Sequence, residues 1–264
     1  MTAAPTPKLV ATDLDGTLVR RDGTVSPYTR SVLDRLEERG VPVIFVTGRP
    51  LRWTTPLFEH VGSHGLAIVS NGAMVWDVAA EVARMSYALE SAASRAVVDR
   101  IREALPGSLF GAERQDGFAV ESGFPVGREG VVEQPLPDLV GSPMLKLLSL
   151  HRDLAPDDYR KRAVEAVGDL ATVTHSSSLP LLEISAYGVT KASTLATIAG
   201  SLGVAAEEVI AFGDMPNDIA MLQWAGSSYA MANAHAEVLE AAGAVAPSHE
   251  EDGVARVLTE VFDL

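Results

Sequence analysis

The chain has 264 residues, of which 47 % are apolar and 21 % charged, a composition that builds a sizeable core and excludes general disorder. A formal charge of −14 excludes a surface built to track nucleic acid or anionic lipid, because like charges repel, so neither nucleic acid nor membrane is an expected partner. The absence of cysteine excludes disulfides, thiolate metal sites and cysteine nucleophiles; the N-terminal MTAAPTPK has no long apolar core, no apolar run approaches the ~18 residues of a membrane span, and a cytoplasmic location is expected.

In chain order, KLVAT reads as a short buried strand, and SPYTRSVLDRLEERG as a helix with Ser26 at the N-cap, Pro27 at the first helical position and Gly40 as its stop. VPVIFVT is a second continuous apolar strand, a helix is expected from about Pro50 to Val61, and LAIVS is a third strand ending at Asn71-Gly72. Near-continuous apolar strands alternating with helices predict a parallel sheet covered on both faces. The middle, residues 84–186, reads differently. It holds the helix ESAASRAVVDRIREAL, the strands SLFGAE and GFAVES, a Pro- and Gly-rich stretch from Gly123 to Pro143 expected as an ordered loop, the strand MLKLLSL, the helix PDDYRKRAVEAVG, and the strands ATVTHSS and PLLEIS. Strands grouped with one another and separated by two helices predict an inserted α+β module.

From about Thr190 the alternation returns: a helix to Leu202, the strand EVIAFGD, a helix from Asn217 to Trp224, the strand SYAMA, a helix from Ala236, the segment AVAPS, and a last helix from Asp252. The fold class is therefore α/β, a Rossmann-like parallel-sheet core made of residues 1–83 and 187–264, with residues 84–186 as an inserted α+β cap domain.

In a parallel α/β sheet, ligands bind beyond the carboxyl ends of the strands. Asp13 and Asp15 stand there after the first strand, Thr47 after the second, Asn71 after the third and Asp214 after EVIAFG; Lys191 starts the first helix after the insertion, and Asn217 and Asp218 open the helix after Asp214. Carboxylates at that density repel one another unless a cation sits among them, and oxygen donors without His or Cys favour a hard ion, Mg²⁺. Thr47, Lys191 and backbone N–H groups of the turn after Asp13 would then hold phosphate oxygens. A carboxylate can attack phosphorus to form an aspartyl-phosphate, and a second one can protonate the departing alkoxide and later take a proton from water. Two carboxylates at i and i+2, such as Asp13 and Asp15, could supply both.

DLDGTL (13–18), VTGR (46–49), Lys191 in GVTKASTL and GDMPND (213–218) resemble, in order and spacing, the four motifs of the haloacid dehalogenase-like phosphohydrolases. The tail AMANAHAEVLEAAGAVAPSHEEDGVARVL, with SNGA at 70–73, is similar to the Cof-type subgroup, in which an α/β cap is inserted after the third core strand; Ala192 stands where that subgroup commonly has glycine. The resemblance implies that Asp13 is the nucleophile and a metal ligand. It implies that Asp15 is the general acid/base with its backbone carbonyl on the metal, that Thr47 and Lys191 bind the phosphoryl group with Asn217, and that Asp214 is a metal ligand. Asn217 and Asp218 would steady that region, and Gly48 and Asn71 are further contact candidates.

Simpler readings exist for several of these residues. Asp218 suits a helix N-terminus, Asn71-Gly72 suits a hairpin turn, and Arg52 and Trp53 suit packing. The six histidines show no ligand spacing, and His151, His175, His235 and His249 read as surface or loop residues. The expectation is Mg²⁺-dependent hydrolysis of a small phosphorylated metabolite such as a sugar phosphate. A phosphomutase or phosphotransferase, or a sensor that binds phosphate esters without turnover, are the alternatives; the intact Asp13, Asp15, Lys191 and Asp214 weigh against the sensor.

Overall fold

The computed structural model describes residues 6–61, 65–125, 130–176 and 179–264; the described residues up to 85 and from 191 onward form one compact unit, and those from 86 to 190 form the other. The first unit begins with β1 (Leu9–Thr12), α1 (Pro27–Glu38), β2 (Val43–Val46), α2 (Leu51–Val61), β3 (Leu66–Val69), β4 (Met74–Asp77) and β5 (Val82–Ser86). The helix α1 forms where its capping chemistry says it should. Ser26 Oγ accepts the Thr29 N–H at 3.0 Å, Pro27 opens the helix, Val32, Leu33 and Leu36 share the buried face, and Gly40 turns the chain out at φ +70°.

The chain then builds the second unit from α3 (Ser91–Ala104), β6 (Leu109–Arg114), β7 (Gly117–Val120), β8 (Val131–Glu133), α4 (Leu136–Leu139), β9 (Lys146–Leu150), α5 (Pro156–Val167), β10 (Ala171–Thr174) and β11 (Leu181–Ala186). It returns to the first unit with α6 (Lys191–Ser201), β12 (Val209–Gly213), α7 (Ile219–Trp224), β13 (Ser227–Met231), α8 (Ala236–Ala241), β14 (Ala244–Ala246) and α9 (Gly253–Phe262).

The first unit holds an eight-stranded sheet in the order β14-β13-β12-β1-β2-β3-β4-β5, and every pairing from β14 to β3 is parallel. Its central strand β1 is fully buried, with Ala11 opposite Ala211 on one side and Ile44 on the other. The chain runs outward from β1 through β2 and β3, crosses back to β12 and runs outward the other way through β13 and β14. The order therefore reverses between β1 and β12, and α/β sheets bind their ligands in the crevice at such a switch point.

Two features depart from the sequence reading. The sheet does not stop at LAIVS, because Ser70–Gly72 turns the chain back into β4, antiparallel to β3, and β5 extends the edge. Arg84, expected in the middle segment, lies on β5 and pairs with Asp77 at 2.6 Å. The exposed VARMS has none of the apolar continuity that marks the inner strands, which is why it escapes pattern reading.

The second unit holds a six-stranded sheet in the order β10-β11-β9-β6-β7-β8, antiparallel except for β7 with β8. Val97, Val98 and Ile101 of α3 and Tyr159, Ala163 and Val167 of α5 share one apolar core with Phe110, Ala112, Leu147, Leu182 and Ile184 of the strands. The Tyr159 hydroxyl, inside that core, donates to Ser108 Oγ at 3.0 Å and bonds Ser149 at 2.6 Å. The Pro- and Gly-rich stretch carries β8 and α4; residues 126–129 of it lie outside the described residues, as does Ser177 of ATVTHSS.

His151, His175 and His249 are buried, not on the surface, although all three lie outside α-helices and strands. The His151 ring bonds the Pro106 carbonyl at 3.0 Å, His175 lies 3.4 Å from Asp157, and His249 lies 3.3 Å from Glu250. His235 caps α8 by accepting the Glu237 N–H. Among the described residues, no helix is long and apolar enough to cross a membrane.

Candidate active site

The crevice at the switch point is assembled from strand ends. The Asp13 N–H donates to the Phe212 carbonyl at 3.0 Å, continuing the β1–β12 ladder one step beyond β1 and fixing Asp13 against the strand that carries Asp214. After Asp13 the chain folds into a tight turn in which the Leu14 carbonyl accepts the N–H groups of Leu18 and Val19 at 3.0 and 2.8 Å. Gly16 takes φ +74° there, and a Cβ at that position would stand 2.3 Å from Asp214 Oδ2, so both the turn and the carboxylate require glycine. Thr17 Oγ1 donates to Asp214 Oδ1 at 3.1 Å, and Asn233 Nδ2 donates to the Gly16 carbonyl at 2.8 Å.

Lys191, at the start of α6, projects into this cluster. Its Nζ lies 2.6 Å from Asp13 Oδ1 and 2.6 Å from Asp218 Oδ1, with the lysine side chain 1 % exposed. The other oxygen of Asp218 accepts the backbone N–H groups of Asp214 and Met215, each at 3.1 Å. Asp13, Asp214 and Asp218 have oxygens within 4.8 Å of one another. Three carboxylates against one ammonium leave surplus negative charge in a buried place. Burial, with Asp218 and Asp214 adding to it, holds Asp13 well above the usual carboxylate range despite Lys191. Burial and Asp218 push Asp214 up to about 7. Burial alone would pull Lys191 down, but Asp13 and Asp218 outweigh it and raise the amine, which stays charged.

This donor set fits a hard divalent cation. Its atoms are all oxygens, its surplus charge is negative, and Asn217 Oδ1 is a buried acceptor with no hydrogen-bond partner. Both Asp218 oxygens are already engaged, so Asp13 and Asp214 are the side chains left to hold such an ion. Asp15 stands apart from the three acids. Its side chain is half-exposed and faces Arg49, whose Nε donates to Oδ2 at 2.6 Å and whose Nη2 donates to Oδ1.

The other expected residues converge on the same strand ends. Thr47 is buried after β2, and its Oγ1 accepts the Arg49 N–H at 3.0 Å, which leaves the hydroxyl proton to be donated. Gly48 lies between them. Asn71 takes φ +58° in the turn after β3, and its N–H donates to the Thr47 carbonyl at 3.1 Å. Asn217 Nδ2 donates to Asn71 Oδ1 at 2.9 Å, joining the turn after β3 to the turn after β12. Asn71-Gly72 is thus both a turn and a side-chain contact in the crevice. Arg52 lies 4.6 Å over the Trp53 ring on α2, a packing pair.

Arg49, Thr17 and Asn233 also stand at the site. Arg49 and Thr17 lie inside VTGR and DLDGTL, and their closeness to Thr47 and Asp15 is the sequence signal that marks them. Asn233 carries no local signal, because its contact spans the sheet.

The profile of the haloacid dehalogenase-like hydrolases matches residues 10–258. The chain is 29 % identical over 252 residues to 5-amino-6-(5-phospho-D-ribitylamino)uracil phosphatase YcsE of Bacillus subtilis strain 168, covering 95 % of this chain and 94 % of that one. It is likewise 29 % identical over 252 residues to the phosphoglycolate phosphatase of Halorubrum lacusprofundi, covering 96 % of each. Among solved structures it superposes on SMU.1108c of Streptococcus mutans UA159 with a TM-score of 0.85 at 22 % identity, over 98 % of this chain and 100 % of the other, a likeness of fold.

Proposed function

The chain belongs to the haloacid dehalogenase-like hydrolases and is a phosphatase, and we propose that it hydrolyses small phosphomonoesters, sugar phosphates or similar metabolites, through an aspartyl-phosphate on Asp13 with Mg²⁺ in the crevice. The observation that carries this reading is the pinning of Asp13 Oδ1 by a buried lysine beside Asp214, which leaves Oδ2 of Asp13 to meet phosphorus. Asp13, Asp214 and the backbone carbonyl of Asp15 would hold Mg²⁺, which when bound would offset the carboxylate charge and polarise the phosphoryl oxygens.

The residues of the chain do the rest. Thr47 would donate its hydroxyl proton to a phosphoryl oxygen, Lys191 would add its fixed positive charge, and Asn217, tied to Asn71, would close the phosphate-binding side. The bond from Asp13 Oδ2 to phosphorus forms as the ester bond breaks, and Asp15 gives its proton to the leaving oxygen. Water then attacks phosphorus, Asp15 takes the water proton, and phosphate leaves Asp13. Support for a small substrate comes from the relatives, whose names specify a phosphoribityl compound and phosphoglycolate. We further propose that residues 86–190 act as the cap that selects among substrates.

The test is a panel of phosphorylated metabolites assayed with chelator and with Mg²⁺. Turnover of one or a few small esters that stops with chelator and returns with Mg²⁺ is expected. Full turnover in metal-free buffer would remove the mechanism.

A further inference from the structure

Two cations of the chain stand near the strand ends, and their surroundings differ. Lys191 is locked between two carboxylates and excluded from solvent. Arg49 is not. Its fork engages both oxygens of Asp15, one lone pair on each, with side-chain exposures of 31 % for the arginine and 51 % for the aspartate. Pairs this open to water contribute little to stability, so the contact is cheap to break.

The arginine is nevertheless well anchored from behind. Its Nη1 donates to the Trp53 carbonyl at 3.3 Å, its N–H to Thr47 Oγ1, and its carbonyl accepts the Ser70 N–H at 2.9 Å. The guanidinium is thus mounted on the Thr47 loop, where a phosphoryl group is expected, and it feels the charge of Asp13 as well as that of Asp15. Among the described residues, Asp15 has no other side-chain partner to hold it. To serve the leaving group, however, an Asp15 oxygen must turn from the guanidinium to the reacting atoms.

We propose that Arg49 is an exchangeable latch on the acid/base carboxylate: it holds both oxygens of Asp15 when no substrate is bound and passes to an oxygen of the incoming phosphoryl group, releasing Asp15. This rests on the phosphoryl-transfer reading above and adds to it a residue with two alternating anionic partners. The exchange itself moves only hydrogen bonds, and the released carboxylate takes up a proton from water before it serves the leaving group. A phosphoryl dianion matches the planar fork and carries more charge than one half-solvated carboxylate, so the exchange runs toward substrate.

The experiment is calorimetric binding of inorganic phosphate to the full-length, Mg²⁺-loaded protein in a four-member cycle: wild type, Asp15→Asn, Arg49→Ala and the double variant. A latch makes Asp15 a competitor for the guanidinium. Asp15→Asn should then tighten phosphate binding by up to about fivefold, the scale of an exposed ion pair, and by clearly less in the Arg49→Ala background. If Arg49 merely screens the charge of Asp15, the order reverses, because the bare aspartate repels phosphate more once the arginine is gone. A reversed order, or equal gains in both backgrounds, overturns the latch. Should Arg49→Ala fail to fold by circular dichroism, Arg49→Lys takes its place, keeping the charge without the fork, and the same inequality must hold. A wild-type protein that binds no phosphate with Mg²⁺ present would overturn the phosphoryl site itself and the latch with it, a result distinct from a reversed cycle.

Discussion

Asp218 fixes Lys191: its Oδ1 lies 2.6 Å from the ammonium while its Oδ2 takes the N–H groups of Asp214 and Met215, so one fully buried carboxylate ties the start of α6 to the turn after β12. Asp218→Ala would leave the lysine with Asp13 alone and two backbone donors unpaired. Breaking a buried pair by removing one partner costs about 3–5 kcal/mol. Urea denaturation should show a loss of that size, with activity lost as well. A variant of wild-type stability would show that Asp218 does not organise the crevice.

The raised acids make metal-free stability depend on pH. The Asp214 value rises from the usual 3.8 to about 7 on folding, and Asp13 shifts the same way. A group raised on folding holds its proton more tightly in the folded state, so its contribution is fully present below pH 4 and is lost as pH rises through 7. In chelator, the melting temperature should fall by several degrees between pH 5 and pH 8. If Mg²⁺ occupies the proposed site, adding it should raise the melting temperature more at pH 8 than at pH 5, because a cation there would bind the ionised acids. Scanning fluorimetry measures both; a metal-free protein more stable at pH 8 than at pH 5 would contradict the sign.

Much of this site was legible because its parts are short motifs at strand ends. DLDGT and GDMPND end inner, continuously apolar strands, and the chain reversal between β1 and β12 brings them side by side, so an acidic pair and a third acid could be joined from pattern alone. What escaped pattern reading depends on side-chain direction. Asp214 and Asp218 are both acids in one motif, yet only the fold shows that Asp218 spends both oxygens inside the protein while Asp214 keeps one facing Gly16. Arg49 was hidden for a similar reason, since a motif arginine says nothing about which carboxylate it grips. The exposed β5 strand and the buried histidines failed for a simpler reason, that burial of a polar ring or exposure of an edge strand is decided by packing partners distant in sequence.

Gly16 and Gly23 form a controlled comparison. Both have φ near the left-handed region, +74° and +82°, but a Cβ meets Asp214 at 2.3 Å in the first and nothing within 4 Å in the second. Gly23→Ala should cost only the backbone strain, about 1 kcal/mol. Gly16→Ala carries the same strain and also pushes on a carboxylate whose other oxygen is held by Thr17, so it should destabilise by about 1–3 kcal/mol and weaken Mg²⁺ binding as read by titration. Equal effects of the two variants on Mg²⁺ affinity would show that Asp214 does not hold the ion.

The two acids after β1 should separate kinetically. Asp13→Asn replaces the attacking carboxylate with a neutral amide, so no covalent intermediate can form and activity should fall to background for every substrate. Asp15→Asn removes proton transfer alone, worth typically 10²–10⁴-fold, and the loss should depend on the leaving group. An alkyl phosphate needs its alkoxide protonated and suffers in the first step. An aryl ester such as p-nitrophenyl phosphate leaves without that proton, so the slow step becomes attack of water on the phosphorylated Asp13. Rapid mixing of Asp15→Asn with p-nitrophenyl phosphate should give a burst of p-nitrophenol of about one equivalent per chain and a phosphoenzyme that persists after the burst. Asp13→Asn should give neither. The position of Asp15 outside the acidic cluster, on the solvent side with Arg49, agrees with the proposed role in serving the leaving group and water, whereas Asp13 is held by Lys191 as the proposed nucleophile. A burst from Asp13→Asn, with none from Asp15→Asn, would exchange the two roles.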